Sequence, residues 1–323
     1  MALSEFSLIE QYFAKLTVSR DDVVVGIGDD CAVLACPPDK NIAVSIDTLV
    51  EGVHFFADVD PISLGYKSLA VGLSDLAAMG AKPVWFTLAL TLPEVNEDWL
   101  ESFARGLAEL ALQHQIQLVG GDTTRGPLTI SIQVHGLVDK THVLRRDTAQ
   151  VGDLIYVTGT LGDAGAALQT RLQNWQQDVL DERDWQYLQQ RLERPTPRID
   201  ISPKLLGIAH AAIDISDGLL ADLGHILDKS HKGAIVQLDR LPLSPALTKL
   251  DSSTAHQLAL SSGDDYELCF TVPRTLAGQL DASCDNITCI GEITDEPGLK
   301  LIGKDLQEIA LENLRTGYDH FSA

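Results

Sequence analysis

The chain has 323 residues, which at about 150 residues per domain favours two domains. Hydrophobic residues make up 45% and charged residues 22%, a balance that excludes disorder, collagen and coiled coil as the organising principle. Against 24 Lys and Arg stand 46 Asp and Glu, a formal net charge of -22; a surface so acidic repels phosphate backbones, and no nucleic-acid partner is expected.

The N-terminal segment carries Glu5 and Glu10 where a signal peptide needs a basic start and an apolar centre, so a cytoplasmic location is expected. Val23 to Ile27 and Ile42 to Ile46 read as short buried strands. Asp60-Pro61 places an N-cap before a proline at the first helical position and opens a helix running to about Gly80. Val84, Phe86, Leu88, Leu90 and Leu92 alternate with period two, the mark of a long strand with one apolar face. Thr87 and Thr91 interrupt this stretch, which falls far short of the roughly 20 residues that span a bilayer, so no membrane partner is expected. Asn96 caps a further helix, with Trp99, Leu100, Phe103, Leu107 and Leu110 at helical spacing. Leu128, Ile130, Ile132 and Val134 form a second alternating strand. The opposite faces of these two strands, Trp85 and Ala89 in one and Thr129, Ser131, Gln133 and His135 in the other, suit solvent and a wet subunit contact equally.

The polar stretch Asp139 to Gln150, followed by Gly152-Asp153 and a strand from Leu154 to Val157, sets a domain boundary. Residues 1–140 then form one α/β domain and residues 150–323 a second. The second half continues with a Gln-rich helical region, about Ala166 to Glu193, and a loop from Arg194 to Arg198. Gly159, Gly162 and Gly165, between a strand and a helix, fit either tight packing or backbone N–H groups turned toward phosphate. Familiar nucleotide loops are absent: Gly298 to Asp305 ends in Asp where a Walker A loop needs Ser or Thr, and Gly26-x-Gly28-x-x-Cys31 lacks the third glycine of a dinucleotide fingerprint. Five scattered cysteines without close pairs read as buried or idle thiols.

Aspartates recur where apolar runs end in a glycine or small residue: Asp29-Asp30, Asp47, Asp122, Asp214, Asp217 and Asp264-Asp265. Ends of strands are where α/β proteins place their chemistry. Asp75 differs, standing among small and apolar residues of the predicted helix, where a carboxylate needs a partner. Each alone fits a turn or a cap. Converging in a low dielectric, they would either take up protons or bind cations, and oxygen ligands without a His or Cys cluster select Mg²⁺. A multi-Mg²⁺ site handles phosphates, which reconciles the acidic chain with an anionic substrate.

Together the motifs GIGDDCAVL (26–34), SIDTLVEGVHF (45–55), LSDLAAMGAKP (73–83), LVGGDTTRGP (118–127), IDISDGLLADLGHI (213–226), SGDDYELCF (262–270) and GYDHF (317–321) resemble the thiamine-monophosphate kinase family, in order and over nearly the whole chain. That family lies in the aminoimidazole ribonucleotide synthetase-like superfamily. The resemblance implies a mixed α/β fold of two domains that dimerises through the N-terminal sheet, and ATP-dependent phosphorylation of thiamine monophosphate to thiamine diphosphate. It implies Mg²⁺ ligands at Asp30, Ser45, Ile46, Asp47, Asp75, Asp122, Asp214 and Asp217, and ATP contacts at Gly121, Asp122, Arg146 and Ser216. Substrate contacts fall at His54, Asp264 and Tyr318, and the catalytic set is Asp47, Asp75, Asp122, Arg146 and Asp217. Two positions depart from the family pattern: Ile46 stands where Thr is common and offers only its carbonyl, and Asp264 stands where Glu is common. Without the resemblance, His54 reads as a satisfied buried histidine, Tyr318 as a packing anchor and Arg146 as a surface charge. The alternatives are another ATP-dependent synthetase of the superfamily and a non-catalytic Mg²⁺ or nucleotide-binding regulator. Selenophosphate synthetase would need a reactive Cys near the N-terminus, and residues 1–20 hold none.

Overall fold

The computed structural model describes residues 5–14, 16, 18–173, 175, 178–304, 307–309 and 317. They divide into two compact units, Met1–Leu76 with Ala81–Thr141, and Ala77–Gly80 with His142–Ala323. Among the described residues no helix is long and apolar enough to cross a membrane.

In the first unit a short antiparallel pair, β1 (Val23–Val25) and β2 (Val33–Leu34), accompanies a four-stranded sheet of β3 (Lys40–Val50), β4 (Lys82–Leu92), β5 (Gln117–Arg125) and β6 (Thr129–Asp139). The order is β3-β6-β4-β5, with β6 antiparallel to both neighbours and β5 parallel to β4. Two helices, Pro61–Ala78 and Glu97–Gln113, accompany it, and both expected caps form: Asp60 Oδ2 accepts the Ser63 amide at 3.1 Å, and Asn96 Oδ1 accepts the Trp99 amide at 3.1 Å. The helices touch backbone to backbone, since a Cβ on Gly65 would strike the Phe103 carbonyl and one on Gly106 the Ile62 carbonyl.

Two expected short strands take a different form. Ile42 to Ile46 is the middle of the eleven-residue β3, which pairs along its whole length with β6. As an edge strand it is not buried: Ile42, Val44 and Ile46 are 45%, 55% and 62% exposed. The first strand stops at Val25, because β2 offers only two residues to pair with. Trp85, for which solvent or a subunit contact was open, is instead fully buried in a cluster with Val23, Ala32 and Leu34, and its Nε1 donates to Asp22 Oδ1 at 2.9 Å.

Among the described residues the second unit carries seven strands, β7 (Leu154–Thr158), β8 (Ala211–Ile215), β9 (Gly233–Gln237), β10 (Glu267–Val272), β11 (Ile287–Thr294), β12 (Gly298–Ile302) and β13 (Glu308–Ile309). Their order is β13-β12-β9-β11-β7-β10-β8, antiparallel except between β9 and β12. The central strands are covered on both faces. Ile155, Val157, Ile213 and Ile215 pack with Leu219, Leu223 and Ile226 of the helix Leu219–Ser230, while Tyr156, Ala212, Leu268 and Phe270 pack with Ile201, Leu205 and Leu280. The Gln-rich region resolves into two helices, Asp163–Gln173 and Glu182–Glu193, the second opened by a capping box between Asp181 and Asp184. At Gly162 and Gly165 packing governs: a Cβ would meet the Ala259 backbone and the Ser262 side chain.

Candidate active site

Ser45 and Asp47 stand two residues apart on β3 and so share one face of the sheet, the face of Leu49, which is buried. Asp75, on the helix Pro61–Ala78, finds its partner there: Ser45 Oγ donates to Asp75 Oδ2. Gly72, one helical turn before Asp75, gives the strand room. A Cβ at that position would lie 2.9 Å from Val134 Cγ1 and 3.5 Å from Asp47 Oδ2.

Asp47 Oδ2 is buried and accepts no hydrogen bond. Burial, reinforced by the charge of Asp75, pushes the Asp47 carboxyl up to about 7. A carboxylate so placed is relieved by a cation, and the donors at hand, two carboxylates and a hydroxyl, suit Mg²⁺. Among the described residues no three His, Cys, Asp or Glu side chains gather closely enough to hold a metal ion. Mg²⁺ does not require such a cage, since it commonly binds one or two carboxylates and completes its shell with water and phosphate oxygens.

Asp122 turns away from that cluster. Asp47 and Asp122 do not end strands; they sit inside β3 and β5, which run on because their neighbours are long. Asp122 is exposed and pairs with Ala89, in a row continued by Ser131 and Thr48, so the register sets it on the face opposite Asp47. The Ile46 side chain also turns to that face. Gly121 needs its hydrogen, because a Cβ there would strike the Leu88 carbonyl. Asp30 is exposed in the loop after β1, its amide donating to Asp29 Oδ1 at 2.9 Å. His54 is half-buried in the turn after β3, where its Nδ1 accepts the Val50 amide at 3.0 Å. The neutral ring therefore carries its proton on Nε2 and is a donor there.

In the second unit Asp214 is buried in β8, and Ser216 and Asp217 follow at its end. The amides of Ser216, Asp217 and Gly218 converge on Asp222 Oδ2 at 3.0, 3.0 and 3.1 Å. Burial pushes the Asp222 carboxyl up to about 7 even so. The segment 263–267 alternates in its use of acids. Asp265 is buried and its Oδ2 accepts the Gly162 amide at 2.8 Å, and Glu267 is held by Arg191 at 2.8 Å and by Arg198 at 2.5 Å. Alternating with these, Asp264 and Tyr266 take left-handed φ angles of 67° and 50°, and the Tyr266 hydroxyl donates to Asp264 Oδ1 at 3.0 Å. Arg146 is exposed, with its carbonyl accepting from Ser230 Oγ at 2.9 Å. Tyr318 lies outside the described residues.

Sequence reasoning missed Gly72, Asp222 and Tyr266. Asp222 and Tyr266 lie inside quoted motifs, but their targets are backbone amides and a neighbouring carboxylate, which residue type alone does not disclose.

Comparison with known proteins places this geometry. Residues 28–138 match the AIR synthase related protein N-terminal domain, and residues 150–304 match the C-terminal domain of the same family. The thiamine-monophosphate kinase of Salmonella typhimurium is 51% identical over 100% of this chain and 99% of its own. The crystal structure of the thiamine-monophosphate kinase from Stenotrophomonas maltophilia superposes with a TM-score of 0.85 at 47% identity, covering 93% of this chain and 97% of that one. A further structure, described as AaThiL complexed with AMPPCP and TMP, superposes at 0.77 with 31% identity and covers 99% of both chains. The chain belongs to the AIR synthase related proteins and, within them, to the thiamine-monophosphate kinases.

Proposed function

We propose that the protein transfers the γ-phosphoryl group of ATP directly to the phosphate of thiamine monophosphate, giving thiamine diphosphate. The observation that carries this reading is the buried, donorless Asp47 oxygen beside the Ser45–Asp75 pair, a site that calls for a cation in a member of a phosphotransferase family. The relative solved with AMPPCP and TMP supports the choice of the two substrates.

Ser45, Asp47 and Asp75, with Asp30, Asp122, Asp214, Asp217 and the Ile46 carbonyl, are the Mg²⁺ ligands in this reading. Mg²⁺ held by these residues would supply neutralisation of the phosphate charge. In the same reading Gly121, Asp122, Arg146 and Ser216 hold the nucleotide. Arg146 supplies a positive charge against two phosphates that repel each other. His54 donates from Nε2 to the substrate, Asp264 favours the cationic thiazolium, and Tyr318 offers a ring face.

No residue has to accept a proton. An alcohol must lose one as it attacks, but a phosphate monoester has a second pKa near 6 and is mostly dianionic at neutral pH. His54 agrees with this, since its Nδ1 lone pair is already taken by the Val50 amide. Catalysis then rests on alignment and charge neutralisation, and no phosphoenzyme forms. The exposed face of β3 with Ile42, Val44 and Ile46 pairs two chains into a homodimer in this reading; sedimentation should then give twice the 35.0 kDa chain mass, and a 35.0 kDa species would contradict it.

The test offers thiamine and thiamine monophosphate separately with Mg-ATP and follows products by chromatography. Diphosphate from the monophosphate, with no product from thiamine, is expected. Comparable phosphorylation of thiamine contradicts both the acceptor and the base-free mechanism.

A further inference from the structure

Asp222 belongs to none of the ligand sets above, yet it is 3% exposed and carries a carboxylate in the first turn of the helix Leu219–Ser230. Its Oδ2 receives three amides, and two of them belong to Ser216 and Asp217. Three donors converging on one oxygen leave the backbone of residues 216–218 little choice of position, because any other would strand a buried donor.

The constraint does not stop at that loop. The Ser216 carbonyl accepts the Asp264 amide at 2.8 Å, and the Ile215 carbonyl accepts the Tyr266 amide at 2.8 Å. Gly263 lets the two segments close up, since a Cβ there would strike the Ser216 carbonyl. The same peptide segment that is fixed on its N–H side by Asp222 therefore fixes, on its C=O side, the two residues with left-handed φ angles.

We propose that Asp222 is a positioning residue for phosphoryl transfer, setting Ser216 and Asp217 on the nucleotide side and, through the Ser216 peptide, Asp264 on the substrate side. The roles of those three residues rest on the reading under Proposed function; the mechanical link does not. A carboxylate suits the task because a single oxygen takes all three amides, which its ionised form strengthens at once. Asparagine keeps the shape and one acceptor oxygen but loses the charge, and alanine loses the acceptor altogether.

The experiment uses Asp222→Asn and Asp222→Ala in the full chain at a temperature where each is folded. Amide hydrogen exchange is followed without ligands, and steady-state kinetics are measured with Mg-ATP and thiamine monophosphate each varied. Asp222→Ala is expected to speed exchange at residues 216–218 and also at 264–266 by about ten-fold, with the interiors of β7 and β11 unmoved. KM for both substrates should rise together by about ten-fold or more, and Asp222→Asn should fall between alanine and wild type on both readouts. Exchange that rises evenly through the unit, with kcat and both KM values within two-fold of wild type, overturns the proposal and leaves Asp222 a purely structural group. If the wild-type protein does not phosphorylate thiamine monophosphate, the functional reading fails while the exchange arm still decides: unmoved exchange at 264–266 overturns the link. If the alanine variant does not fold, Asp222→Asn carries the same comparison against wild type.

Discussion

The two units differ in whether a positive charge or backbone amides answer their buried carboxylates. In the second, Glu267 is fully buried and its oxygens are shared by Arg198 at 2.5 Å, Arg191 at 2.8 Å and the Thr158 hydroxyl at 2.5 Å. Asp153 is met by His210 Nδ1 at 2.9 Å and by the Gln150 amide at 2.9 Å, and Asp222 by three amides. Asp163 and Asp265 each keep one buried oxygen without a hydrogen bond, yet Asp163 lies 3.8 Å from the Arg191 guanidinium, and Asp265 accepts the Gly162 amide at 2.8 Å and feels the Arg191 charge. In the first unit Asp47 faces Asp75 with an oxygen that meets no donor. A buried charge that the chain itself answers is scaffold, and breaking it costs stability. One that the chain leaves unanswered lowers stability and is explained by what binds there.

Substitution can break this contrast. Asp47→Asn should lower kcat/KM by about a thousand-fold or more while the chain stays folded, because it removes charge from a cation ligand and no volume from the core. Turnover at saturating Mg²⁺, set beside a circular dichroism spectrum, is the check; near-normal turnover removes Asp47 from the site. Glu267→Gln should show the reverse pattern. It leaves Arg191 and Arg198 without their shared anion, so chemical denaturation should reveal a loss of about 3–5 kcal/mol, with turnover of the folded enzyme changed far less than by Asp47→Asn. A smaller effect sharpens the picture of the substrate side. Tyr266→Phe removes one hydrogen bond to Asp264, worth about 1 kcal/mol, and should raise KM for thiamine monophosphate about five-fold while leaving KM for ATP unmoved. An equal change in both would assign Tyr266 to the fold.

The sequence disclosed the elements whose signals are local. The proline after Asp60 and the cap at Asn96 announce helices that form where expected, and the alternation through Val134 announces a strand. Asp75 in an apolar helix asked for a partner, and Ser45 supplies it. What stayed hidden depends on neighbours distant in the chain. The length of β3 follows from β6, the burial of Trp85 from the β1–β2 pair and Asp22, and the interior place of Asp47 and Asp122 in their strands from the partners that extend them. Asp222 was visible as a residue and invisible as a function, because three amides brought together by a turn leave no mark on composition or spacing.

The central claim, that the chain leaves Asp47 unanswered for a cation to complete, is tested most directly by thermal unfolding of wild type and Asp47→Asn. Burial and the charge of Asp75 push the folded Asp47 carboxyl up from 3.8 to about 7. In cation-free protein its charge therefore opposes folding above about pH 7, and that opposition fades as pH falls toward 4, where the folded carboxyl is protonated. At pH 8 with a chelator, Asp47→Asn should unfold about 5 °C above wild type, and the advantage should vanish near pH 4. Adding Mg²⁺ with a non-hydrolysable ATP analogue at pH 8 should raise the wild-type midpoint to or beyond that of the variant and move the variant far less. A variant no more stable than wild type in chelator, or one that Mg²⁺ stabilises as much as wild type, would contradict the claim.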